Sequence, residues 1–351
     1  MGFLHEESRD FGNKYREEQL EQIKKLIAGK RKLADLKRVE YMQCDFSSVD
    51  AYKESIEKYR TDFINMLGWP LNEYSEDLPV PGAKVEFVSE DSIGKIFRLN
   101  IDTMQGMTTY GILFLPHAEP PYPLVIAQHG GHGTPELCSG FFGSGNYNDM
   151  TRRVLKKGVA VFAPQMLLWG EEFGPSTDRL QIDCQLKQLG GSITALELFK
   201  LKRSIDYLHS REDINASQTG MIGLSYGGFY TLFTAAVDVR IKAVLSSCFF
   251  NNRFIYDWHD WTWFNSGNTF LDSEICSLIC PRPLYIEVAD SDELFDVTYA
   301  CEEYEKVHDV YDKLDSLDKL WFKVFKGVHE LDLDVSGIDL LYKNILNGGL
   351  I

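Results

Sequence analysis

The sequence predicts an α/β sandwich of helix, sheet and helix: a mostly parallel central sheet of about eight strands flanked by helices, with an N-terminal helical extension. Three observations carry that expectation. Beyond about residue 80, short β-rich apolar runs alternate with amphipathic stretches of helical period. Two of the runs, "PLVIAQH" and "VAVFAP", are almost continuously apolar, as strands buried on both faces of a parallel sheet must be. The stretch "TGMIGLSYGGFYTLFTAAV" joins a strand pattern to a helix pattern through one serine held between glycines.

From about residue 15 to 65 the chain is charged and helical in pattern, with Leu20, Ile23, Leu26 and Ile27 recurring at three- and four-residue spacing. The basic segment "KKLIAGKRKLADLKR" reads as a solvated helix face. "LGWPL" and "LPVPGA" end this region, because proline cannot continue a helix and restricts the residue before it. The extension is therefore expected over residues 1–80 and the α/β domain over 81–351. Within the latter, "KIFRLNI", "TYGILFL", "PLVIAQH", "VAVFAP", "TGMIGL", "IKAVLSS", "RPLYIEVA" and "LWFKVF" read as strands. "SITALELFKLKRSIDYLHS" reads as a helix capped by Ser192, with Leu198, Leu201, Ile205 and Leu208 on one stripe. Two stretches near 165–191 and 249–273 exceed a minimal alternation. They follow strands, where loops at the carboxyl edge of an open sheet build binding sites. They read as pocket walls carrying Trp169, Trp258, Trp261 and Trp263; packing of a satellite core is the competing account of the last three.

Composition narrows the function classes. The chain has 351 residues, 44% of them hydrophobic, and a net charge of −16, which repels phosphate backbones and anionic lipid surfaces. No nucleic-acid or membrane partner is expected. The opening "MGFLHEESRD" has no apolar signal core, so a cytoplasmic location is expected. Seven scattered cysteines fit reduced thiols. Cys276 and Cys280 lack the spacing of a redox or zinc pair, and His129 and His132 lack further ligands at metal spacing, so neither metal nor cofactor is expected.

A serine hydroxyl needs a base to take its proton, and the base needs a carboxylate to orient it. Ser225 follows the strand "GMI", with Gly223 and Gly227 clearing the bend and a helix amino end behind it. Asp290 and Asp292 follow "YIEVA", and His329 follows "KVFKG". Asp292 is favoured over Asp290 because a residue further from the strand can curl toward a histidine in the next loop, and Asp296 is a third choice. Backbone N–H groups of Gly131, in "QHGGHG", and Tyr226 are the candidate oxyanion donors. The order Ser, Asp, His at successive strand ends is that of an α/β-hydrolase fold.

With those residues in place, the chain from about residue 84 onward resembles the α/β-hydrolase superfamily, and within it the acetyl xylan esterase-like and dienelactone hydrolase-related branch. The resemblance rests on "TYGILFLPHAEPPYPLVIAQHGG", "GLSYGG", "ICPRPLYIEVADSDELF" and "FKGVHE". It implies Ser225 as nucleophile, Asp292 as acid, His329 as base and an oxyanion donor in the turn from His129 to Gly131. The expected activity is hydrolysis of a small carboxylic ester, an acetyl ester of a sugar or a similar short-acyl substrate, through an acyl-enzyme. A peptidase or amide hydrolase with the same triad, and a binding protein that keeps the fold, are the alternatives. The helical extension is expected either to join two copies as a homo-oligomer or to cover the site.

Overall fold

The structure, a computed structural model, describes residues 4–347. Two helices come first, α1 (Asn13–Tyr41) and α2 (Val49–Leu67). Three strands follow, β1 (Ala83–Glu90), β2 (Gly94–Met104) and β3 (Met107–Pro116), and then β4 (Tyr122–Gln128). The chain continues through α3 (Pro135–Cys138), α4 (Met150–Leu155), β5 (Ala160–Pro164), α5 (Arg179–Gln188), α6 (Ile193–His209) and β6 (Ile214–Leu224). It ends with α7 (Tyr226–Val237), β7 (Ile241–Ser247), α8 (Asp272–Ser277), β8 (Leu284–Ala289), α9 (Val297–Asp312), β9 (Leu320–Phe325) and α10 (Ser336–Asn347).

The strands form one sheet in the order β1-β2-β3-β5-β4-β6-β7-β8-β9. The β1, β2, β3 and β5 contacts are antiparallel, and every pairing from β5 through β4 to β9 is parallel. The sheet thus has nine strands where the sequence pattern gave about eight. The additional one is the edge strand β1, which is largely exposed and so lacks a continuous apolar run.

Side-chain alternation splits the core in two. On β4, Leu124 and Ile126 enter one layer with α2, α6 and α7, while Val125 and Ala127 enter the other with α4 and α10. α6 is capped as its sequence predicts: Ser192 Oγ accepts from the Ala195 amide at 3.0 Å, and Leu198, Leu201, Ile205 and Leu208 are buried. α2 sends Tyr52, Ile56, Tyr59, Phe63 and Leu67 into the same layer. α1 is different. It buries only Ala34 and Arg38, and Leu20, Ile23, Leu26 and Ile27 remain exposed. Among the described residues no helix is long and apolar enough to cross a membrane.

Candidate active site

β6 turns directly into α7 at Ser225, whose φ of 60° and ψ of −123° lie in a region that L-residues rarely adopt. The bend survives because the flanking positions carry no side chains. A Cβ on Gly223 would sit 2.2 Å from the Gly227 carbonyl oxygen, and one on Gly227 would sit 2.1 Å from that of Gln128. The Ser225 amide donates to the Ser247 carbonyl at the end of β7, at 2.9 Å. The hydroxyl therefore stands at the amino end of α7, where unpaired N–H groups favour negative charge.

The loops after β8 and β9 meet near the end of β7, where Ser247 Oγ donates to the Glu330 carbonyl at 3.4 Å. Nδ1 of His329 donates to Oδ2 of Asp292 across 2.8 Å, and both side chains are largely withdrawn from solvent. The other oxygen of Asp292 accepts from the amides of Leu294 and Phe295, at 2.8 and 3.1 Å. Asp290 is occupied elsewhere, accepting from the Gly327 amide at 3.2 Å and tying the two loops together. Asp296 caps α9 through the Thr298 amide. Of the three aspartates named from sequence, Asp292 is the one hydrogen-bonded to His329. No hydrogen bond joins Ser225 Oγ to His329 among the described residues.

Three supports had no signal in the sequence. Glu293 accepts from the His329 amide at 3.2 Å. Asn146 donates its side-chain amide to the His329 carbonyl at 3.2 Å. Phe295 packs its ring 5.7 Å from the imidazole. Cys248 also lies close, with one donor atom each from Cys248, Asp292 and His329 within 4.8 Å of one another. Burial holds the Cys248 thiol protonated, its pKa well above the usual range, so the trio offers an acid-base pair beside a neutral thiol.

The turn after β4 packs against the serine. A Cβ on Gly130 would lie 3.2 Å from Cβ of Ser225. The Gly130 amide already donates to the Tyr147 hydroxyl at 2.9 Å, which leaves Gly131 as the next amide in that turn. His129 fixes the turn. Its Nε2 accepts from the Met166 amide at 3.1 Å and its Nδ1 donates to the Gly130 carbonyl at 2.8 Å. Burial lowers its pKa to about 4, so the ring is neutral at pH 7.

The two long insertions are joined by a buried ion pair. Arg179 Nε lies 2.8 Å from Asp260 Oδ2, and the Tyr226 hydroxyl donates to the same carboxylate at 3.0 Å. Arg179 also donates to the Tyr230 hydroxyl at 2.6 Å. The residue following Ser225 is thereby clamped by both insertions.

The four tryptophans divide. Trp258 is exposed and stacks on Trp261 with ring centres 4.3 Å apart, and Trp261 itself is only 2% exposed. Trp263 packs on Phe63 and Phe233, in the layer between α2 and α7. Trp169 lies beside the β4 turn, bridged to His132. Core packing accounts for Trp261 and, at the margin of the core, for the half-buried Trp263; Trp258 is exposed, and Trp169 is half-buried.

A nine-stranded, mostly parallel sheet with a strained serine on its strand-to-helix bend and an Asp-His pair on two later loops defines an α/β-hydrolase. The sequence pattern of the dienelactone hydrolase family matches residues 111–312, and the chain belongs to that family. A Bacillus subtilis protein whose name proposes a hydrolase, YtaP, is 28% identical over 180 residues, 47% of this chain and 58% of that one. The chain spans about half the length of the curated relatives it matches. Among solved structures, a glucuronoyl esterase from Solibacter usitatus superposes with a TM-score of 0.61 at 15% identity, over 84% of this chain and 93% of the other. A Bacteroides fragilis protein whose name proposes an acetyl xylan esterase also gives 0.61, at 13% identity over 86% of each chain. Likeness at that identity concerns the fold.

Proposed function

We propose that this protein is a serine hydrolase of small carboxylic esters. The observation that carries the reading is the 2.8 Å bond between His329 and Asp292, on the loops after β8 and β9 of the sheet whose β6 carries Ser225 on a strained bend. With Nδ1 of His329 committed to Asp292, Nε2 is the ring nitrogen left to take the Ser225 proton. The Ser225 oxygen attacks the ester carbonyl, and the N–H groups of Gly131 and Tyr226 hold the oxyanion. His329 gives the proton to the departing alcohol, leaving an acyl group on Ser225. Water then releases it by the reverse steps, with His329 again as base.

The aromatic surroundings favour a short acyl group. Tyr226 is clamped in place beside the serine, and a rigid ring there limits acyl length. The exposed face of Trp258 suits the ring of a sugar or similar alcohol, so an acetyl ester of a small sugar is the substrate class we favour. The site residues need no metal for this chemistry.

The test is hydrolysis of p-nitrophenyl esters from acetate to octanoate by the protein and by Ser225→Ala. Acetate-selective turnover lost in the variant supports the reading. Turnover that survives Ser225→Ala, or octanoate hydrolysed as well as acetate, overturns the serine mechanism or the short-acyl preference respectively.

A further inference from the structure

At the amino ends of β7, β8 and β9, opposite the catalytic loops, lies a cavity of about 590 Å³. Its lining inverts the charge of the molecule. Lys53, Arg60, Lys242, Arg282, Lys319 and Lys343 face it, against the exposed acids Glu57 and Asp318, in a chain of net charge −16. Ile56, Val239, Trp321 and Leu340 supply apolar wall.

We propose that this cavity is a binding site for a small organic phosphate, with its anionic group among the lysines and an apolar or aromatic portion against Trp321. Charge alone does not distinguish a ligand site from a solvated patch, and the hydrogen bonding does. Arg282 directs its guanidinium at five backbone carbonyls: Ile279 at 3.1 Å, Asp238 at 3.1 Å, Ile241 at 2.7 Å, Ala235 at 2.6 Å and Leu278 at 3.2 Å. All five of its N–H donors are used and none meets a carboxylate, so it contributes a fixed positive charge rather than a contact. Lys242 reaches only the Val239 carbonyl, at 3.2 Å. Lys319 and Lys343 have no hydrogen-bond or ion-pair partner among the described residues. They are the flexible point charges that close on a phosphate.

The local field agrees with that assignment. Burial, reinforced by Arg60, brings Arg282 down to about 9, and burial with Arg282 nearby lowers Lys242. An arriving anion removes the repulsion among these cations. The six residues of β8 put the cavity about 20 Å from the catalytic loop at its other end, so a ligand here does not compete with the ester.

The experiment is isothermal titration of the full chain with phenyl phosphate and with inorganic phosphate. Phenyl phosphate is expected to bind about tenfold more tightly than inorganic phosphate, because its ring buries against the apolar wall. K319E/K343E is expected to weaken phenyl phosphate by at least about tenfold, K319Q/K343Q by less, and Ser225→Ala not at all. Equal affinity for the two phosphates overturns the apolar half of the site. Absence of binding at millimolar phenyl phosphate, binding unchanged in both lysine variants, or binding lost in Ser225→Ala overturns the site itself.

Discussion

Asp292 and His329 are 37 residues apart in the chain and 2.8 Å apart in space, whereas Asp290, two residues nearer its strand, is turned to the Gly327 amide. This separation of roles gives a sharp comparison. Asp292→Asn disturbs both the tautomer and the orientation of His329, and is expected to lower kcat on p-nitrophenyl acetate by about 10³- to 10⁴-fold. Asp290→Asn keeps an oxygen for Gly327 and is expected to stay within about threefold of the parent. Equal losses in the two variants would mean that the loops, rather than the Asp292 carboxylate, control the imidazole.

The buried pair Arg179–Asp260 predicts a second effect. Asp260→Asn leaves the guanidinium with less charge compensation in the interior, and is expected to cost about 3 kcal/mol of unfolding free energy by urea titration. The same change loosens Tyr226, which donates to both oxygens of Asp260. Turnover of acetate is therefore expected to fall while the preference for acetate over octanoate narrows. Stability lost with selectivity intact would show that the clamp serves the fold alone.

Much of the architecture was legible because its signals are local. The continuous apolar runs of β4 and β5, the Ser192 cap and the four-leucine-type stripe of α6 each declare themselves within a dozen residues. β1 did not, because an edge strand with Lys84, Glu86 and Glu90 among its residues needs apolar contact on one side only. At the site, Gly223, Ser225 and Gly227 are explained by a bend that admits no Cβ at two positions. Glu293, Asn146 and the Arg179–Asp260 pair were not legible, since each acts through a contact whose partner lies far away in the chain. Trp261 and Trp263 left core and pocket open for a similar reason: aromatic composition is the same in both settings, and only Phe63, Phe229 and Phe233 on other elements decide.

Glu287 on β8 makes stability depend on pH. Burial raises its carboxyl to about 7, with Asp332 adding to the rise and the Asp332 amide and Lys323 opposing it. In the unfolded chain the group titrates near 4.3. Between those values the native state binds more protons than the unfolded one, so this group's contribution falls as pH rises through 7. Glu287→Gln removes the titration. The variant is expected to gain about 3 kcal/mol relative to the parent between pH 4.5 and pH 8, measured by urea unfolding at both values. A difference between parent and variant that is the same at both pH values would place the Glu287 titration in its ordinary range.

The exposed face of α1 predicts an assembly. Leu20, Ile23 and Ile27 follow the spacing that also places Ala34 and Arg38 on one side of the helix. The last two are buried against the body of the protein, while the first three are about half exposed. An apolar stripe left open along one side of a helix suits the same stripe of a second copy. Light scattering is expected to give the mass of two chains for the parent and of one for L20E/I23E/I27E, with the esterase rate per chain unchanged. The parent dimer is also expected to hold as salt rises from 50 to 500 mM, since an apolar contact does not rest on charge attraction and screening reduces the repulsion between two chains of net charge −16. A monomeric parent at 100 µM removes this role from the helix. A dimeric triple variant moves the contact to another face.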